Sequence, residues 1–261
     1  MALHVLAAVE QGLSRTFQRN GLLLVAAFVA FGLLGTLASE ATTGTYAAFF
    51  TEQSEIMTST DGTTPSPLEP LFDVTSDGID WHVTTFPPGT VVGLSVLFAV
   101  GEEALRIAAI RVFASAETRT IPATLVRRNL AWATLHAVVA GVLVAIATAI
   151  GLVLLIIPGI FLALSFYFVR QVIALEDATT SEAMGRAWDL SAGNRLDLVG
   201  LAVVVALVGL VASIPPALVG LVSPLAGAVA GAVTSAFVLV FSIAATTRAF
   251  EQVRGAEANR P

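Results

Sequence analysis

Apolar residues run through this chain in long, nearly uninterrupted stretches parted by short polar segments. Six stretches are long enough, or nearly so, to cross a hydrocarbon core as helices of roughly 20 residues. They cover about 21–38, 90–114, 130–157, 159–175, 197–214 and 224–247, the second being apolar in its first half and charged in its second. Ahead of them Leu3, Leu6, Val9, Leu13 and Phe17 recur at steps of three and four, with Glu10, Gln11, Ser14, Gln18, Arg15 and Arg19 on the other side. That spacing predicts an amphipathic helix over 1–19 at the membrane surface. Between the first two stretches, 39–88 is polar and rich in turn residues, as in Asp61-Gly62-Thr63-Thr64-Pro65 and Phe86-Pro87-Pro88-Gly89. The expected fold class is an all-α membrane protein, one integral membrane domain over 1–261 forming a six-transmembrane-helix bundle.

Breaks in the apolar runs set the connections. Ile156-Ile157-Pro158-Gly159-Ile160 divides a run too long for one crossing, with proline stopping the third span and glycine permitting a tight turn. Pro215-Pro216 and Pro224 bracket the turn between spans five and six. Gly227 and Gly231 make a GxxxG step that admits close helix approach, within the bundle or across a homo-oligomer seam. Thr179-Thr180-Ser181-Glu182 reads as a capping box opening a short helix over 179–194. Gly193-Asn194 stops that helix, and Trp188 lies at the headgroup boundary.

Composition agrees with a lipid environment. Hydrophobic residues make up 56%, charged residues 12%, and the mean hydropathy is +0.85, which excludes an ordinary water-soluble globule. All 13 basic residues are arginine, and with 19 acids the net charge is −6, so there is no basic footprint for nucleic acid. Without cysteine, thiolate chemistry and Cys-ligated zinc are excluded, and His4, His82 and His136 are too widely spaced for a metal-binding helical pair. No metal or cofactor is expected.

Charge position predicts orientation. The 39–88 segment carries eight acids and no base, a local charge of −8 against +2 elsewhere. With both termini cytoplasmic, six spans place Arg15, Arg19, Arg119, Arg127, Arg128, Arg186, Arg195, Arg248, Arg254 and Arg260 inside, and Arg106, Arg111 and Arg170 in the inner halves of spans two and four. The acidic segment is then an extracellular loop, a solvated face without the spacing of a calcium loop. The 179–194 helix is cytoplasmic and interfacial.

Leu155-Ile156-Ile157-Pro158-Gly159, then Phe168-Val169-Arg170-Gln171 with Glu176-Asp177, then Glu182-Ala183-Met184-Gly185-Arg186-Ala187-Trp188 and Gly193-Asn194-Arg195, carry a resemblance. This order resembles the membrane domain found ahead of glycerophosphodiester phosphodiesterases, the YciC-like inner-membrane proteins and stand-alone haloarchaeal relatives. It covers about 155–195, and the other spans only by hydropathy. Pro158, Gly159, Glu176, Glu182, Trp188, Gly193 and Arg195 are the matching motif residues. Ala187 stands where many relatives carry serine. No phosphodiesterase domain is expected after Pro261, and that enzyme's acid and histidine constellation is absent. The resemblance therefore implies a fold and a membrane location without an activity. The lysine-free, acid-rich composition is also similar to that of haloarchaeal members.

Ionisable residues inside a bilayer are costly, about 2.5–3.5 kcal/mol each on insertion scales, and are candidates for function. Glu102 and Arg106 lie one helical turn apart, Glu103 is within reach of Arg106, and Arg170 with Gln171 falls at a matching depth in span four. These five are expected to form an intramembrane polar cluster, either ion pairs at the inner mouth of the bundle or a pathway. No motif of a hydrolase, metalloprotease or nucleotide-binding enzyme is present. The expected role is a non-catalytic membrane scaffold or envelope-associated module acting through helix packing or membrane lipid, in the cell membrane. The alternative is a small-solute or lipid transporter using the charged cluster.

Overall fold

The computed structural model describes residues 3–35 and 88–258. The acidic loop expected over 39–88 lies outside the described residues but for Pro88. All regular structure among the described residues is helical: α1 Val5–Thr16, α2 Arg19–Gly35, α3 Pro88–Ala114, α4 Ala123–Arg127, α5 Leu130–Leu154, α6 Ile156–Ser165, α7 Val169–Glu176, α8 Thr180–Ser191, α9 Arg195–Ala212, α10 Ile214–Val222 and α11 Pro224–Ala258.

Four segments are long and apolar enough to cross a membrane. They are α5, α6 with α7 (Ile156–Glu176), α9 with α10 (Arg195–Val222), and α11. The pair α1 and α2, bent by 77°, is a fifth if counted as one span. The remaining expected span corresponds to α3, whose second half carries Glu102, Glu103, Arg106 and Arg111. Aliphatic side chains cover the outside of the apolar helices; Val153, Ile157, Leu221 and Val222 are each more than four-fifths exposed. A contiguous apolar surface of this kind suits lipid and not water.

The helix breaks differ from those expected. The α5–α6 turn is made by the extended Leu155, and Pro158 is the third residue of α6. Amides in a helix's first turn have no intrahelical acceptor, so proline is accommodated there and opens the second helix instead of ending the first. Gly151 and Gly159 are the contact of this hairpin, for a Cβ on Gly151 would lie 2.8 Å from the Gly159 Cα. Pro215-Pro216 likewise begins α10, and the turn into α11 falls at Ser223, where Gly220 packs on Gly227. The fourth span is interrupted at Phe166–Phe168, between α6 and α7. The sixth continues as α11 to Ala258, so Arg248 and Arg254, expected in a tail, are helical.

Contacts divide the chain into two units. In the smaller, residues 34–98, the described part is the end of α2 and the first turns of α3, where the Ser95 hydroxyl donates to the Val91 carbonyl at 3.0 Å. The larger, residues 1–33 and 99–261, holds the core. Ile107, Ile110, Val112 and Phe113 of α3 are fully buried, as are Val172 and Ile173 of α7, Leu198 and Leu201 of α9, and Phe241 and Phe250 of α11. Phe168 meets Phe250 edge-on at 5.7 Å.

The first helix also differs from expectation. The face of α1 that packs into the protein is Ala8, Gly12, Arg15 and Thr16, while Leu6 and Phe17 are exposed. Gly12 permits this, since a Cβ there would lie 2.7 Å from the Ala245 backbone of α11. Small residues spaced by four allow helix backbones to approach closely, and that contact carries Arg15 inward, away from the polar exterior expected for it.

Candidate functional site

The last turn of α3 leaves carbonyls without amide donors. Two arginines from elsewhere supply them. Arg15 of α1 donates through Nη2 to the Phe113 carbonyl at 3.1 Å and to the Ser115 carbonyl, and through Nη1 to the Glu117 carbonyl at 3.2 Å. Arg248 of α11 donates to the same Phe113 carbonyl at 2.6 Å and pairs with Glu251 at 2.6 Å. Asn20, at the start of α2, donates to the Glu117 carbonyl at 2.7 Å, and its amide donates to the Thr118 carbonyl at 3.1 Å. Cations at a helix C-terminus also meet the negative end of its dipole. Four elements are thereby joined at one helix end.

Arg111 performs the same task within α3. Its guanidinium is almost wholly buried and donates to the Ala174 carbonyl of α7 at 2.9 Å, to the Val126 carbonyl at 3.2 Å, and to the Arg128 carbonyl. It also pairs with Asp177 at 3.2 Å, whose other oxygen takes Arg128 at 3.0 Å. Asp177 and Asn129 both adopt the left-handed region, at φ 52° and 46°. Short polar side chains tolerate that conformation, which lets α7 end and α5 begin against the same arginine.

Of the five residues expected as a polar cluster, four make two ion pairs. Glu102 pairs with Arg106 within α3 at 2.5 Å, while Glu103 takes Arg170 of α7 at 2.6 Å. Of the residues expected at matching depth in spans two and four, Glu103 and Arg170 are in contact. Neighbours on a helix point about 100° apart, so Glu102 turns away to its own α3 partner. For the same reason Gln171 departs from Arg170. It is buried, and its Oε1 has no hydrogen-bond partner among the described residues. Beside Arg170 is a cavity of about 50 Å³ lined by Ala140, Gly141, Val144, Phe166, Tyr167 and Val169. That is room for one or two waters.

The motif residues fall into local contacts along α6–α9. The Glu182 carboxylate accepts from the Thr179 amide at 2.9 Å and from its hydroxyl at 2.7 Å, the carboxylate half of the expected capping box. These two bonds hold Glu182 below the usual carboxylate range. His136 of α5 reaches the same helix start, its Nδ1 accepting from the Thr180 amide at 3.2 Å. Arg186 clasps Glu257 of α11 with bonds of 2.8 and 2.6 Å and lies 3.7 Å from Glu176. The Glu257 bonds, then the charges of Glu257, Glu176 and Asp189, raise its pKa. Arg195 stacks over Phe161 at 4.3 Å and Trp188 at 5.2 Å. Gly193 takes φ 87° in the turn that brings Arg195 there, and Pro158 and Gly159 belong to the separate α5–α6 hairpin.

Sequence reasoning missed Arg15, Arg111 and Arg248 as joining residues because only their side of the membrane was read from them. Two signals were present: Arg111 interrupts the apolar run Ala108-Ala109-Ile110-Val112-Phe113, and Arg15 continues the small-residue face of Ala8 and Gly12. Among the described residues no group of three or more His, Asp or Glu is arranged to hold a metal ion.

No curated protein and no solved structure matches the chain. A family model described as a domain of unknown function (DUF7847) matches residues 3–253, nearly the whole length, and the chain belongs to that family.

Proposed function

We propose that this protein is a non-catalytic, multi-pass scaffold of the cell membrane, with six spans and both termini cytoplasmic. The observation that carries the reading is the use made of its charges. Arg15, Arg111 and Arg248 close helix ends by donating to backbone carbonyls, and Arg170 and Arg186 are engaged by Glu103 and Glu257. A transport pathway needs ionisable groups that face an aqueous route. The space beside Arg170, about 50 Å³, is too small for a solute. The charged groups act instead as joints between helices, leaving an apolar exterior for lipid and for neighbouring membrane proteins.

The test uses the purified chain in liposomes loaded with a pH-sensitive dye. A scaffold gives proton flux no greater than protein-free vesicles, and Glu103→Gln lowers thermal stability without changing that flux. A flux well above the protein-free vesicles that Glu103→Gln or Arg170→Gln abolishes, with insertion unchanged, replaces this reading by a transporter.

A further inference from the structure

Away from the arginine joints, a cavity of about 450 Å³ lies between α9–α10 and α11. Its wall includes Gly209, Ser213 and Pro216 on one side and Gly231, Thr234, Ser235 and Ser242 on the other. The volume falls within the roughly 300–1,000 Å³ of small-ligand sites. Two glycines make the room: a Cβ on Gly231 would have only the Pro216 Cβ at 4.0 Å for company, and one on Gly209 only Val238 at 3.5 Å.

Most hydroxyls of this wall have no hydrogen-bond partner among the described residues, as the Thr134, Thr148 and Ser191 hydroxyls also have none elsewhere. Hydroxyls inside helices ordinarily satisfy themselves on the carbonyl four residues back. Thr16, Ser95, Ser165 and Thr247 do so here, at 2.8, 3.0, 2.8 and 2.7 Å. Thr234, Ser235 and Ser242 make no such bond among the described residues, so three hydroxyls on one helix border the cavity uncommitted. Opposite them α9 and α10 form one span with a one-residue irregularity at Ser213, which stays in the right-handed helical region. Pro215 and Pro216 have no amide N–H, so the Val211 and Ala212 carbonyls lose their α-helical donors. No charged residue lines the cavity.

The geometry points to a binding site for a neutral lipid alcohol, an aliphatic body carrying one or more hydroxyls, held between α9–α10 and α11. The aliphatic body packs on Val205, Val238 and Leu239, and the ligand hydroxyl exchanges hydrogen bonds with Thr234, Ser235 and Ser242. An anionic lipid finds no cation there. This site rests on the chain being embedded in lipid, as the scaffold reading holds, and gives that scaffold a specific lipid class.

Two photoactivatable probes of one chain length, ending in a hydroxyl or in a methyl group, test it on the full chain in nanodiscs. The hydroxyl probe labels peptides from 205–242 saturably, at least tenfold above the methyl probe, and an unlabelled long-chain alcohol displaces it. Gly231→Leu, which fills the cavity, abolishes the saturable labelling. Thr234→Val with Ser235→Ala and Ser242→Ala removes the preference for the hydroxyl while leaving the fold's melting temperature unchanged. Equal labelling by both probes, or saturable labelling that survives Gly231→Leu, overturns the site alone. Absence of any labelling, even at the exposed tips near Val153 and Ile157, overturns the lipid-embedded reading with it.

Discussion

Arg111 shows how much one buried cation can hold. Its donors reach α7, the end of α4 and Asp177 at once. Arg111→Met leaves Asp177 half-paired and several carbonyls without donors, and breaking a buried charge network this way costs about 3–5 kcal/mol. The expected result is a large fall in the melting temperature of the purified protein. Arg111→Lys recovers little of it, because a single ammonium lacks the planar fork that spans three acceptor groups. A lysine variant as stable as the parent would mean that charge alone matters. That side chain's residue type was visible in the sequence, yet its partners were not: Ala174 and Arg128 contribute backbone carbonyls, which carry no sequence signature. By contrast, Glu182 on Thr179 was legible, since a capping motif is written in four consecutive residues.

At the scale of an element, α8 is a short helix held at its start. The Glu182 carboxylate is held low by its bonds to Thr179. A carboxylate whose folded pKa is depressed stabilises the helix above the ordinary glutamate value, about 4.3, and that stabilisation is lost as pH falls through the lower folded value. Amide hydrogen exchange across 180–191 is therefore expected to accelerate as pH falls below about 4.3, after correction for intrinsic rates. In Glu182→Gln that acid-dependent step is absent. An identical profile in the two proteins would remove Glu182 as the cause. Helix boundaries were the less legible part at this scale. Proline was read as ending helices at Pro158 and Pro215, whereas both open the next one. Sequence does not separate the two roles, because proline is excluded from a helix's interior and accepted in its first turn.

For the whole molecule, hydropathy identified the apolar segments because lipid imposes one simple rule on helix length and composition. It does not show which face of each helix packs inward, and so Arg15, expected on the polar side of α1, is found buried beside Gly12. The proposed orientation has a direct check, because the chain contains no cysteine and each introduced thiol reports alone. In intact cells a membrane-impermeant maleimide is expected to label Asp61→Cys and to leave Arg119→Cys unlabelled until the cells are opened. Labelling of both in intact cells would mean that α3 does not cross, and labelling of the second only would reverse the orientation.

At 35 residues, α11 is about 52 Å long at 1.5 Å per residue, against a hydrocarbon core of about 30 Å. Its final turns carry Arg248 on the end of α3 and Glu257 on Arg186 of α8, and its middle carries α1 at Ala245. Only its first part, 224–247, is apolar, about 36 Å long and close to the core thickness, and the polar remainder to Ala258 carries the charged joints. Because α1, α3 and α8 are all fastened along this one rod, any displacement of α11 moves the three together.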